Sequence, residues 1–267
     1  GEAEHYDGNP KKHYHFILIA KDALGYRAIR ELSSQAWFYS YKYGKMEWPP
    51  TLKSELKEII EKYKGHVIAT SACIGGELSN NALAYSLAKE VNDLNSARIY
   101  YDNIINFIEY CLDLFGSDFY IECAPSDEDD QIRVNKMLKD IADNYNIKMV
   151  IGTDSHYLRP EDRPVHKAYL TSDIKNDSAR EVDAFYKFTY LMNSEEIKTL
   201  MSYSFDEEHI NNMLTNSLEI YDKIERYSLF HKQQIPTVEV KNYPKKNFWG
   251  VNNSYADDME SYPQLKQ

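Results

Sequence analysis

The sequence is short of several things, and each shortage closes off a class of protein. Cysteine occurs three times in 267 residues, at Cys73, Cys111 and Cys123. An odd number of widely spaced thiols, with no C-x-x-C pair, excludes a disulfide framework and points to a reducing, cytoplasmic setting. No apolar run is long enough to span a bilayer and no stretch reads as a signal peptide, so no membrane partner is expected. Positive charge is in deficit, with 31 Lys and Arg against 42 Asp and Glu, a formal net charge of −11. A surface that gripped a nucleic-acid backbone along its length would be basic, so a general DNA clamp is excluded while local handling of a nucleotide is not. There is no G-x-S-x-G elbow, no phosphate-binding glycine loop and no dinucleotide fingerprint; Ile74-Gly-Gly76 is too short to count as one.

What is present is enough apolar sequence, 43% of residues, for one large domain or one domain with an appendage. The 23 tyrosines suit half-exposed aromatic packing. Residues 1–12 are polar and turn-rich. Phe16 to Ala20 (FILIA) reads as a strand, and Asp22 to Ala36 as a helix with Leu24, Ile29 and Leu32 on its apolar side. Aromatics and Pro49-Pro50 mark a loop. Leu52 to Tyr63 is an amphipathic helix, and His66 to Thr70 (HVIAT) a strand running into the small-residue turn Ser71-Ala-Cys-Ile-Gly-Gly76. A helical stretch covers Ala82 to Leu114 with a break near Asn92 to Ser96. Phe119 to Cys123 (FYIEC) is a strand, Asp130 to Tyr145 a helix and Met149 to Gly152 a strand. This alternation argues for α/β architecture with a largely parallel sheet. Beyond Arg159 the pattern turns helical, over Glu161 to Leu170, Ser194 to Tyr203 and Asp206 to Arg226. Residues 173–179 read as loop and Phe185 to Met192 as an aromatic segment. The tail from Ile235 reads as a linker.

The stretch Met149-Val-Ile-Gly-Thr-Asp-Ser-His-Tyr157 carries the clearest chemical signal. If extended backbone continues through Ser155, a period of two points Asp154 and His156 to one face, a pairing suited to a divalent cation. The alternative is an Asp that caps the next turn beside a half-exposed His. Other strand-turn segments offer His13, His15, Cys73 and Glu122. A thiolate at Cys73, past a strand end in a glycine-rich turn, can bind metal, whereas a small buried residue is the commoner fate of cysteine. His13-Tyr-His15 is, on spacing alone, more readily a polar strand start than a ligand pair. The pairs Asp129-Asp130 and Asp257-Asp258 are most simply solvated charges.

Four motifs in order, HYHFILIAKDALGYRAIREL, GHVIATSACIGGEL, FYIECAPSDEDDQIRVNKML and MVIGTDSHYLRPEDRPVHKAYL, resemble one family. It is the PHP (polymerase and histidinol phosphatase) domain of bacterial or phage DNA polymerase III alpha subunits, over residues 2–170. FTYLMNSEEI and IPTVEV are similar to the segment that follows that domain. The resemblance implies a distorted (β/α) barrel of the PHP type, incomplete at its N-terminus, followed by a mainly helical segment. It divides the chain into a later PHP part at 1–172, a helical part at 173–234 and a linker at 235–267.

The same resemblance makes His15, Cys73, Asp154 and His156 metal ligands, with Glu4 as the acidic ligand of the family's G-x-E-x-Y stretch. His13 takes no family role. Zinc is the implied cofactor, with manganese or magnesium as alternatives, because imidazole and thiolate favour zinc. The family's opening H-x-H, the Asp after it and the next His fall before residue 1, so an incomplete phosphoesterase-type site is expected. The parent protein would be a DNA-directed DNA polymerase, a nucleotidyltransferase. Its partners would be the rest of the alpha chain, replisome subunits and, through the full-length protein, DNA. Two alternatives stand beside this: a non-enzymatic structural or docking module of the polymerase, and a free-standing PHP-superfamily phosphatase. No polymerase palm with paired catalytic aspartates is expected within these residues. Purified chain should therefore give no primer extension, and efficient extension in a gel assay would overturn the polymerase-fragment reading.

Overall fold

The computed structural model describes residues 13–43, 46–171, 186–230 and 232–233. The chain divides into two compact units, Gly1–Tyr227 and Ser228–Gln267. Every helix and strand described lies in the first. In the second, the Phe230 amide donates to Ser228 Oγ at 3.2 Å, and the expected linker from residue 235 lies outside the described residues.

Four strands form the central sheet: β1 (Ile17–Ala20), β4 (Val67–Thr70), β5 (Phe119–Cys123) and β6 (Met149–Ile151), in the order β1-β4-β5-β6. They are the four apolar runs visible in the sequence. Strands β4, β5 and β6 are parallel, while β1 runs antiparallel to β4 with Ile17 opposite Thr70 and Ala20 opposite Val67. The sheet is thus largely parallel, as the alternation suggests, with β1 as its one antiparallel strand among the described residues. Every residue of β4 and β5 is buried, as expected of strands covered on both faces. On one face Val67, Ala69, Phe119, Ile121 and Met149 join the main core. On the other, Ile68, Tyr120 and Val150 form a smaller cluster against Ile19 and Ile220. Among the described residues the sheet is open, with β1 and β6 at its edges.

The helices are α1 (Ala23–Phe38), α2 (Lys53–Lys62), α3 (Glu77–Glu90), α4 (Leu94–Phe115), α5 (Asp129–Tyr145), α6 (Arg163–Thr171), α7 (Ser194–Met201) and α8 (Glu207–Asp222). Asp22 caps α1 by accepting from the Leu24 and Gly25 amides, both at 2.9 Å, satisfying two of the orphan donors of its first turn. Asp93 caps α4 in the same way through the Ser96 amide, and places the helix break between Glu90 and Leu94. Among these helices, none is long and apolar enough to cross a membrane.

One expectation fails outright. The stretch before Pro49-Pro50 is not a plain loop but an antiparallel ribbon, β2 (Tyr41–Tyr43) paired with β3 (Met46–Trp48). Its aromatic residues are strand formers, but three residues per strand are too few for a period of two to show.

Helix α8 closes the sheet face beside β6. Its Asn216 side chain donates to the Met149 carbonyl at 2.8 Å, and Ile220 packs on the smaller cluster. Charges at its end form a network with the sheet. Asp118 accepts from Lys21 at 2.8 Å and pairs with Lys223 at 3.1 Å. Glu219 pairs with Lys148 and Lys223 and accepts from Tyr120 Oη at 2.8 Å.

These partners, Lys148 first, hold the Glu219 carboxyl down at about 2. A carboxyl depressed in the folded state stabilises the fold above its unfolded value and loses that contribution as pH falls through the folded value. Glu219→Gln should lower stability at neutral pH by about 1 kcal/mol, the side chain being partly open to solvent. The difference from wild type should shrink as pH falls from the ordinary glutamate range towards 2. Urea denaturation across that range measures it.

Candidate metal centre

The parallel strands β4, β5 and β6 end at the same edge of the sheet, and ligand sites in α/β proteins form outside the carboxyl ends of such strands. Cys73 lies past the end of β4, and Asp154 and His156 lie past the end of β6. His15 precedes β1, and the antiparallel sense of β1 brings that flank to the same edge. His15 bridges in parallel to Gly76, its amide donating to the Gly75 carbonyl at 3.1 Å. The ring then lies over Gly75, where an added Cβ would stand 3.3 Å from Nδ1. His15 Nδ1 is 3.4 Å from Cys73 Sγ.

Cys73 is buried, with 8% exposure. Burial pushes its thiol up to about 11; the negative charge of Asp154 adds to the rise, while the Gly75 backbone works against it. His15 and Cys73 are thus in contact, from the flanks of β1 and β4, and the Asp154 carboxylate acts on the thiol through its charge.

His156 stands at its margin. Of the two readings of this stretch the turn is the one that forms, because Asp154 takes a left-handed φ of 45° and extended backbone does not continue through Ser155. The chain turns, and His156 Nδ1 comes within 2.6 Å of the Asp154 carbonyl, with Asp154 Oδ1 at 3.9 Å. A carbonyl can only accept, so Nδ1 carries the proton and Nε2 keeps a free lone pair. The His156 amide donates to the Thr189 carbonyl at 2.7 Å, fastening the turn to the segment 186–190. Glu4 lies outside the described residues.

Three further residues stand beside these: Tyr186 and His166, which no motif singles out, and Glu122, already a candidate from the sequence. Tyr186 and His166 surround His156, with ring centroids 4.9 and 5.6 Å from it. Burial and the charges of Asp154 and Cys73 raise the Tyr186 phenol, and burial beside His156 lowers the His166 imidazole. No spacing in the sequence connects Tyr186 to the D-x-H pair; only the aromatic character of its segment is visible. The third is Glu122, buried on β5, its carboxyl raised by burial and then by the charge of Asp154. His13 is turned to other work, stacked on Trp48 at 5.1 Å and 2.8 Å from Tyr41 Oη.

A cleft of about 530 Å³ opens from Cys73 and Asp154 past Thr153, Ser126, Glu128 and Thr189. A second of about 650 Å³ adjoins His15 and has largely apolar walls, including Phe16, Leu56 and Phe107.

The donor set is suited in chemistry and partly suited in geometry. Zinc bonds of about 2.3 Å to sulfur and 2.0–2.1 Å to nitrogen, at a tetrahedral angle, place the two donors about 3.5 Å apart. The His15–Cys73 spacing of 3.4 Å matches. Yet among the described residues no three His, Cys, Asp or Glu side chains stand ready as a metal-holding group. The pair is formed and the remaining donors are not drawn in around it.

Comparison with known proteins agrees with the motifs. Residues 2–126 match the family model described as the PHP domain. The chain is 38% identical over 247 residues to a probable DNA polymerase, YorL, of Bacillus subtilis (strain 168), an alignment taking in 92% of this chain and 19% of that protein. The DNA-directed DNA polymerase of Bacillus phage SPbeta matches to the same extent. The DNA polymerase III subunit alpha of Aquifex aeolicus is 30% identical over 165 residues, 62% of this chain and 12% of that one. The chain thus spans about a fifth of the length of the first two relatives.

Burial of the thiols sets their reactivity. With Cys73 raised to about 11 and Cys111 and Cys123 both buried, the thiolate fraction of Cys73 at neutral pH is roughly one in ten thousand. Native protein treated with iodoacetamide at neutral pH should gain essentially no label by mass spectrometry, and denatured protein should gain label on all three. Rapid labelling of Cys73 in the native state would show the turn to be open.

Proposed function

Residues 2–126 belong to the PHP domain family, within a chain homologous to DNA polymerase III alpha subunits, and from that premise we propose a PHP module that takes up a divalent metal at a phosphoesterase-type site. The module is a part of a bacterial or phage replicative polymerase, acting in the cytoplasm alongside replisome subunits. Residues 1–172 make up its PHP part, in which the open sheet contributes to a distorted (β/α) barrel. Residues 173–234 are a helical segment and 235–267 a linker.

The observation that carries the metal reading is the approach of His15 Nδ1 to Cys73 Sγ at 3.4 Å, from segments 58 residues apart. His15 and Cys73 supply nitrogen and sulfur, Asp154 an oxygen beside the thiol, and His156 an Nε2 left free by the bond at Nδ1. Glu4 is the acidic donor by family resemblance. Imidazole and thiolate favour zinc, with manganese or magnesium as alternatives. A cation there would stabilise charge on phosphorus oxygens during phosphodiester cleavage. The protein's own residues bind and orient it. His15 is fixed by its bridge to the Cys73 turn, and His156 by the carbonyl of Asp154, the kind of outer contact that sets ring orientation at metal sites.

A second reading has an observation in its favour. Because no three donors are preassembled among the described residues, the module fits a brace or docking element of the polymerase in which metal is held weakly and cleavage is feeble. Both readings predict the same binding behaviour for this chain. Calorimetric titration of chelated protein with zinc should give a single weak equivalent, well short of the 10 kcal/mol or so of structural zinc sites. The combined Asp154→Ala and His156→Ala substitutions should abolish it. Several tight equivalents, undiminished in the double variant, would place the metal elsewhere and overturn the assignment.

A further inference from the structure

Glu122 stands among the site residues without a role. It is the next-to-last residue of β5, with 8% exposure, on the sheet face shared by Tyr120 and Thr70. On one side it is tied to β4. Thr70 Oγ1 donates to its Oε2 at 2.6 Å, and its own amide donates to Ser71 Oγ at 2.9 Å. Ser71 opens the turn that carries Cys73, two residues on. On the other side the carboxylate lies against β6. A Cβ built on Gly152 would stand 2.0 Å from Oε1, so the absence of a side chain at 152 makes room for this carboxylate. Asp154 follows two residues later, in its left-handed conformation. Oε1 accepts no hydrogen bond from the described residues.

A leucine would fill this part of β5 without placing a carboxylate in low dielectric, so packing alone does not account for the residue. Its position between two turns does. We propose that Glu122 is a positioning residue of the metal centre: it locks the Cys73 turn to the Asp154 turn and sets negative charge behind the cation. Gly152 is its necessary counterpart. This inference rests on the metal reading above.

The test uses Glu122→Gln, which keeps the size and the capacity to accept from Thr70 but removes the charge, with Gly152→Ala as an independent way to displace the carboxylate without touching a ligand. Both should weaken zinc binding by about ten- to a hundred-fold, the usual loss at outer-shell partners. In cobalt(II)-loaded protein both should alter the sulfur-to-cobalt absorption band, a readout that a purely structural role would leave alone. The thermal midpoint of Glu122→Gln should stay near that of wild type. In metal-free protein the amide resonances of residues 71–76 and 152–156 should shift together in Glu122→Gln. If wild type takes up no metal, the metal reading falls and this role with it. If wild type binds and Glu122→Gln binds equally well with an unchanged cobalt band, the positioning role alone is overturned. Amide shifts confined to β5 would equally refute the lock between the turns.

Discussion

The backbone pairing of β1 against β4, with Ile17 opposite Thr70, decides what can happen at the functional edge of this molecule. Three parallel strands deliver their C-terminal turns to one edge as a matter of course, but a fourth parallel strand would leave His15 at the far end of the sheet. Reversing β1 places its N-terminal flank beside the turn after β4, where His15 bridges to Gly76 and meets Cys73. Register matters as much as direction. A slip of one residue would exchange the two faces of the strand, burying Ile17, now 40% exposed, and turning Leu18 out of the core.

The same edge brings together groups that are costly to bury apart from one another. Cys73, Glu122 and Asp154 each raise a neighbour's affinity for protons. Such a concentration of acidic groups, with Cys73 and Glu122 buried and Asp154 partly open to solvent, is an electrostatic condition that favours a cation. The sheet tolerates it because Thr70 and Ser71 donate or accept close by. Helix α8 and the segment 186–190 cover the adjoining surfaces, through Asn216 on β6 and through the hydrogen bond between His156 and Thr189. The part of the chain after the PHP motifs is therefore built into the support of the D-x-H turn.

Much of the secondary structure is legible in the sequence because it rests on local patterns. FILI, VIA, FYI and MVI are short apolar runs, as suits strands such as β4 and β5 that are covered on both faces. Asp22 and Asp93 mark helix starts through a short-range hydrogen bond that sequence position alone specifies. The β2–β3 ribbon escapes because its strands are too short to display a period. The turn at Asp154 is legible only as one of two readings, because aspartate is tolerated both in extended backbone and in the left-handed conformation it takes here. For Cys73 the sequence leaves open an exposed thiol or a small buried residue, and its burial depends on what packs over the turn.

The sequence by itself determines the α/β class, the four strands and, through its motifs, the kinship with polymerase PHP domains. These depend on side-chain periodicity and residue identity within windows of some twenty residues. Only the tertiary structure decides that β1 runs antiparallel, that His15 and Cys73 meet across 58 residues, that Tyr186 and His166 gather around His156, and that Glu122 lies between two turns with Gly152 yielding it room. Strand direction and the convergence of turns are settled by long-range backbone pairing and by burial on both sheet faces. No local pattern carries those energies, because each belongs to residues that are neighbours only after the chain has folded.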